Sequence, residues 1–309
     1  MKLQILLSTY NGESYLREQL DSLLAQSLFQ NEVWEVVITV RDDGSTDKTC
    51  EILKEYSERN DALTYYAGEN KGVIRSFFEL IEGVPDDVDF IALSDQDDVW
   101  MKDKMQRAVS QLLMFNASNP VLYCGMPLLT DENLTPVSSI MYTDSVTPSF
   151  GNALVENICT GCTAVFNRSL AKLVKLERPA FTVMHDWWMY LLAAAFGQVV
   201  FDSEPHMYYR QHSDNTVGVK KNYRSEFVAR LRRFRTNRYN ISRQVASLQK
   251  ICQRHGLSLT SEQSERIRDI LRSKEHIGAR FRILTNRTIY RQRKMDNLLF
   301  KIIFLTVTI

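Results

Sequence analysis

Apolar residues in the first hundred positions follow two alternating periodicities. Leu3–Ser8 is an apolar run that predicts a buried strand. Thr9-Tyr10-Asn11-Gly12 ends it as a turn, and Leu16, Leu20, Leu23 and Leu24 then recur at helical spacing. A β-branched run, Val33–Val40, stops at Asp42-Asp43-Gly44-Ser45. Ser45 or Thr46 is then placed to cap a helix running through Tyr56. Leu63–Ala67 predicts a short third strand, Gly72–Ile81 a further helix, and Asp89–Ser94 a fourth strand ending at Asp95-Gln96-Asp97-Asp98. Strands separated by helices of about ten to fifteen residues predict βαβ units, hence a parallel sheet covered on both faces.

The pattern from Val121 to Tyr209 is less regular. Val121–Leu129 and Cys162–Phe166 read as strands and Asp186–Phe196 as an apolar helix. From Asn222 the spacing is helical and rich in Arg, with apolar positions at Phe227, Leu231, Phe234, Val245, Leu248 and Ile251. The expected fold class is α/β: a mostly parallel sheet flanked by helices over residues 1–219, with a helical extension over 220–309.

Charge divides the chain at the same place. From Lys220 onward there are 22 Lys/Arg and 6 Asp/Glu; of the 38 and 37 in all 309 residues, 16 and 31 remain before it. An acidic body with a basic tail points to an anionic partner for the tail: a membrane surface, nucleic acid or lipid phosphate. Five cysteines at irregular spacing make no disulfide framework and suit a reducing compartment. The apolar part of Met1–Ser8 is too short for a secretory signal, and no run reaches the roughly 18 apolar residues of a membrane span. Cytoplasmic residence is therefore expected, with membrane contact left open.

In open parallel sheets, ligands bind beyond the carboxyl ends of the strands. Ser8–Asn11, Arg41–Ser45 and Asp95–Asp98 each follow a predicted strand, so all three loops should open on one rim. Carboxylates packed into Asp95-Gln96-Asp97-Asp98 repel one another, and a hard divalent cation, Mg²⁺ or Mn²⁺, relieves the repulsion while binding substrate phosphate. The competing explanation is a solvated acidic turn that caps the next helix. One carboxylate of the Asp42-Asp43 pair can accept hydrogen bonds from a nucleobase or ribose, whereas an ordinary capped turn explains only Ser45 to Asp47. Cys159-Thr160-Gly161-Cys162 has the spacing of half a zinc or redox site, but no second pair completes it.

Taken in order, Ser8-Thr9-Tyr10-Asn11-Gly12-Glu13, Asp42-Asp43-Gly44-Ser45-Thr46-Asp47, Asn70-Lys71-Gly72 and Asp95-Gln96-Asp97-Asp98 resemble the family 2 inverting glycosyltransferases of the GT-A fold. The resemblance implies a Rossmann-like domain with a nucleotide-binding half over residues 1–100 and an acceptor-binding half over 101–219. Carried over by position, Ser8, Tyr10, Lys71 and Asp95 would contact the nucleotide and Asp43 its base. Asp97, helped by Asp95, would hold the metal on the diphosphate.

His185-Asp186-Trp187-Trp188 resembles the family's catalytic-base motif, with His where many members carry Glu. Asp186 would take the proton of the acceptor hydroxyl; its plainer role is an N-cap of the following helix. Gly161 would line the acceptor pocket, and Trp187 and Trp188 would stack on a sugar or pack in the core. His212 is a third candidate for the metal or the phosphate, against a surface-loop histidine, and Arg210 suits phosphate equally.

The whole pattern is similar to bacterial rhamnosyltransferases of cell-wall and O-antigen synthesis. It implies dTDP-L-rhamnose as donor and a polyprenyl-linked glycan as acceptor. A UDP-sugar-dependent galactosyl- or glucosyltransferase is the runner-up, and a non-catalytic nucleotide-sugar- or glycan-binding protein the alternative of another class. Arg230-Leu231-Arg232-Arg233-Phe234-Arg235 and the apolar run Leu298–Leu305 suit an anionic membrane surface at the inner face of the cell membrane. A helical hairpin packed on the body, or a homodimer contact, competes for the same residues. Nothing in the body favours nucleic acid.

Overall fold

The computed structural model describes residues 1–137, 146–212 and 239–306; Ser213 to Asn215, Phe227 and the Arg230–Arg235 cluster lie outside them. In chain order β1 (Lys2–Thr9), α1 (Leu16–Leu24), β2 (Glu35–Asp42), α2 (Thr49–Arg59), β3 (Leu63–Ala67), α3 (Val73–Glu82) and β4 (Phe90–Ser94) form successive strand–helix units. Then come β5 (Val99–Trp100), α4 (Lys104–Leu112), β6 (Val121–Gly125), β7 (Leu128–Thr130), α5 (Phe150–Ala153), β8 (Val165–Asn167), α6 (Arg168–Lys175), α7 (His185–Phe196), β9 (Gln198–Asp202) and β10 (Met207–Arg210). The basic tail contributes α8 (Asn240–His255), α9 (Ser261–Arg272), α10 (Ile277–Thr285) and α11 (Lys294–Thr306).

The main sheet has the order β3-β2-β1-β4-β8-β6-β9. β1 pairs in parallel with β2 and β4, and β2 with β3, so their carboxyl ends share one rim. β8 alone runs antiparallel, between β4 and β6. A second sheet, β5-β10-β7, lies beyond that rim and carries the chain through Arg210.

Side chains of a strand alternate between faces, and β1 shows it. Leu3, Ile5 and Leu7 pack with Leu16 and Leu20 of α1, Ile52 and Leu53 of α2 and Met105 of α4. Leu6 points the other way, into a core shared with Phe77 of α3, Leu170 of α6 and Trp188 of α7. Val245, Leu248 and Ile251 of α8 and Phe300 and Phe304 of α11 join that same core. The tail helices are thus packed on the body rather than around a core of their own.

Four local expectations are corrected. α2 starts at Thr49, not at Ser45 or Thr46, because the Ser45 N–H and hydroxyl are spent on Asp42 while Asp47 Oδ1 accepts from the Thr49 N–H. Val121–Leu129 is two strands in two sheets, interrupted at Met126-Pro127. Cys162 lies in a tight turn, Gly161–Thr163, and the strand begins at Val165. Asp186 is in the first turn of α7, one residue past its start, and is not the N-cap.

Candidate active site

The rim is stitched by hydrogen bonds between loops that the sequence separates. The Tyr10 N–H donates to Gln96 Oε1 at 2.8 Å and the Gln96 amide returns a bond to the Tyr10 carbonyl at 3.1 Å. The Asn11 N–H donates to Ser45 Oγ (2.8 Å) and Asn11 Oδ1 accepts from the Thr46 N–H (2.9 Å). Gly12 permits this closeness, since a Cβ there would stand 2.4 Å from Gln96 Oε1. Asp42 is consumed in building its own turn, accepting from Thr9, Gly44 and Ser45, with Gly44 at φ 83°.

Asp43, 3% exposed, accepts from the Lys71 and Gly72 N–H groups at 2.8 Å each and from Arg41 at 2.5 Å. A carboxylate offers about four acceptor positions, so one remains for a ligand donor. Ser8 Oγ lies 2.6 Å from Ser76 Oγ, and Tyr10, 47% exposed, stands at the mouth. The Lys71 ammonium is held by Glu79 at 2.6 Å while its backbone N–H serves Asp43.

The acidic loop sorts its carboxylates by direction. Asp98 is fully buried and accepts from the Arg210 N–H. Asp97 faces outward with Oδ2 2.9 Å from His212 Nε2. Asp95 sits between them; burial, then the charges of Asp97 and Asp186, push its carboxyl up to about 7. Arg210, expected to meet phosphate, instead latches the loop: it donates to the Asp97 carbonyl at 3.0 Å, binds the Glu132 carbonyl and the Glu18 carboxylate, and lies over the Tyr15 ring. Lys104, also buried, donates to the Cys162 carbonyl at 2.6 Å and stands over the Trp100 ring.

The acceptor side meets this loop. Asp186, 6% exposed, accepts from the Trp187 N–H at 2.6 Å and also from Asn157 and the Gly161 N–H, yet burial raises its carboxyl to about 6. A side chain on Gly161 would come within 3.1 Å of His185 Nε2 and 3.5 Å of Asp186 Oδ2. His185 stacks on Phe77 at 4.2 Å, and burial lowers its imidazole to about 3, so it is neutral. Trp187 is half-buried with its indole N–H on the Ala153 carbonyl. Trp188 is corrected: at 0% exposure it is core and presents no face to a sugar.

Asp97, Asp95 and Asp186 therefore converge, Asp43 standing two strands away on the same rim. Asp95, Asp98 and Cys162 have ligand atoms within 4.8 Å of one another, and Asp98 Oδ2 has no hydrogen-bond partner. A thiol is a poor ligand for a hard ion, so Mg²⁺ or Mn²⁺ would draw on the carboxylates of this group; Asp97, near enough to raise Asp95 and bonded to His212, does not close with them into an equally tight set. Sequence reasoning missed Arg41, Gln96, Lys104 and Asn157 as organisers. A lone Arg at the end of a buried β-branched run, directly before two Asp, was a usable signal; nothing local marked the other three.

A doubly covered sheet with nucleotide-type loops on one rim, an acidic turn after its fourth strand and a buried carboxyl across from it defines a GT-A glycosyltransferase. The sequence model for glycosyl transferase family 2 matches residues 4–173, more than half of the chain. The chain belongs to that family and uses a nucleotide-sugar donor. It is 29% identical over 242 residues, 72% of this chain and 76% of the relative, to the dTDP-rhamnosyl transferase RfbG of Shigella flexneri. It is 27% identical over 192 residues, 60% of this chain and 67% of the relative, to the UDP-Glc:alpha-D-GlcNAc-diphosphoundecaprenol beta-1,3-glucosyltransferase WfgD of Escherichia coli.

Among solved structures, S. aureus TarS 1-349 in complex with UDP-GlcNAc superposes with a TM-score of 0.57 at 17% identity, covering 99% of this chain and 91% of that one. The Pyrobaculum calidifontis mannosyltransferase PcManGT, in complex with GDP-Man and Mn²⁺, does so at 0.51 and 17%, covering 80% and 64%. These likenesses establish the fold.

Proposed function

We propose that the protein transfers L-rhamnose from dTDP-L-rhamnose, with inversion, to a hydroxyl of a lipid-linked glycan in cell-surface polysaccharide synthesis. The observation that carries the transferase chemistry is the position of Asp95, whose carboxyl feels both Asp97 on the donor side and Asp186 on the acceptor side. Asp186 takes the acceptor proton, and the freed oxygen attacks the anomeric carbon opposite the diphosphate. The carbon–oxygen bond to the diphosphate breaks as the new one forms. Asp97 and His212, with Asp95, would hold Mg²⁺ or Mn²⁺, which when bound neutralises charge on the departing diphosphate. Ser8, Tyr10 and Lys71 line the nucleotide side, and the last acceptor position of Asp43 suits a base N–H.

Rhamnose as the sugar rests on the likeness to RfbG. A UDP-glucosyl donor is the second reading, favoured by the likeness to WfgD, whose diphosphoundecaprenol-linked acceptor also supports a lipid-linked one here. A lipid-linked acceptor places the protein at the inner face of the membrane with its basic tail toward anionic headgroups. A panel of nucleotide sugars scored by thermal shift identifies the donor, because a ligand that binds only the native state raises its melting temperature. Slow release of nucleoside diphosphate with Mg²⁺ or Mn²⁺, stopped by EDTA, is expected of the matching donor. No release with any donor would favour a binding protein without turnover.

A further inference from the structure

Surface helices of soluble proteins turn one apolar stripe inward and a polar face outward. α10 and α11 depart from that rule. Ala279 and Ile283 of α10 and Phe300 and Phe304 of α11 are buried. On the opposite faces, Ile277 is 68% and Phe281 55% exposed on α10, and Met295 72% and Leu298 55% exposed on α11. Residues three and four apart lie on one side of a helix, so each pair forms a stripe; Ile302, 49% exposed, extends the second. The two helices pack against each other, so the stripes belong to neighbouring helices.

The charge around them has one sign. From Lys274 to Lys301 there are 8 Lys/Arg and 2 Asp/Glu. Among the described residues no helix is long and apolar enough to cross a membrane. We propose that α10 and α11 form a membrane-docking face, with Ile277, Phe281, Met295 and Leu298 entering the headgroup–acyl boundary of an anionic leaflet. Apolar anchors ringed by cations are what such a surface attracts. A second copy of the chain is the poorer occupant, since it would bring an equally cationic segment against this one. The proposal deepens the lipid-linked-acceptor reading, which gives the docking its purpose, but its evidence is independent of the site.

The test is sedimentation of the full chain with vesicles of phosphatidylglycerol and phosphatidylcholine, or of phosphatidylcholine alone. The wild type is compared with an Ile277→Ser, Phe281→Ser, Met295→Ser, Leu298→Ser variant, whose sites are all exposed. The wild type should bind the anionic vesicles and the variant about tenfold or more weakly, while both release nucleoside diphosphate equally in vesicle-free buffer. Equal binding by the variant, or no binding by the wild type, overturns the proposal. So does a wild-type dimer that the variant converts to monomer in the absence of lipid. Should the variant fail to fold, Phe281→Trp and Met295→Trp singly replace it. A blue shift of the new indole on adding anionic vesicles supports insertion, and an unchanged spectrum overturns it. Vesicle binding without nucleotide release would sink the transferase reading and leave the docking face standing.

Discussion

Asp186→Asn separates chemistry from stability at one position. Asp186 is 6% exposed and receives the Trp187 and Gly161 N–H groups and Asn157, but burial outweighs all three and its carboxyl titrates at about 6 rather than 3.8. A raised carboxyl makes the folded state bind more protons than the unfolded chain between those pH values. The stability it contributes is fully present below the lower value and is lost as pH rises through the upper one. At about 1.4 kcal/mol per pKa unit, the ionised form costs the folded state about 3 kcal/mol above neutrality. Asparagine carries no charge to bury, though its amide opposes one of the N–H donors, an offset of about 1–2 kcal/mol. That offset is the same at every pH and cancels between two pH values, so the variant should gain about 2–3 kcal/mol over the wild type at pH 8 relative to their difference at pH 4, read by thermal unfolding across pH without metal or donor. Transfer should fall by at least about 100-fold with donor binding nearly intact, and wild-type kcat/KM should drop on the acid side of about pH 6. A stability difference independent of pH would show that burial does not burden this carboxyl, and an active variant would remove Asp186 as the base.

Asp97→Ala should abolish the metal dependence of donor binding, measured by calorimetry with Mg²⁺ or EDTA; unchanged metal-dependent affinity takes Asp97 out of the metal site. Arg41 is 1% exposed and binds Asp43, Glu79, Ser76 and the Glu69 carbonyl. Arg41→Met leaves Asp43 buried without its cation and should cost about 3 kcal/mol or more in urea unfolding, a loss below about 1 kcal/mol meaning that water solvates the gap. Gly12→Ala should cost about 1–3 kcal/mol by driving its Cβ into Gln96. Adding Gln96→Ala should then cost less than it does alone, and strict additivity would show that the two loops do not touch.

The nucleotide half of the fold was legible because its strands are short, mostly apolar runs and its helices repeat at 3.6 residues, and the parallel rim follows from that alternation. The acceptor half was less so. β8 is three residues long, too short for any period to report its direction. The division of β6 from β7 did have a signal, Pro127, which cannot continue a ladder. In the site, acidity announced the loop but not its sorting: in Asp95-Gln96-Asp97-Asp98 no local pattern tells which carboxylate turns inward, and the answer depends on Arg210, more than a hundred residues away. Neighbouring tryptophans in α7 point about 100° apart, so one had to face the core, and only packing decided that it was Trp188.

That sorting explains why an unfavourable cluster can persist. Asp95, Asp98 and Asp186 are all raised by burial, and charges held this way destabilise the ligand-free fold. Two buried cations flank the loop and donate to backbone carbonyls. Arg210 grips the Asp97 carbonyl, and Lys104, its ammonium lowered to about 7 by burial, donates to the Cys162 carbonyl while attracted by Asp98 and Asp95. Cys162 follows Gly161, whose N–H reaches Asp186. One buried ammonium thus links the acidic loop, through its attraction to Asp98 and Asp95, to the Gly161–Thr163 turn beside Asp186. Repulsion between Asp95 and Asp97 is relieved by a proton on Asp95, whose carboxyl is raised to about 7, and in the proposed function a cation would take that proton's place.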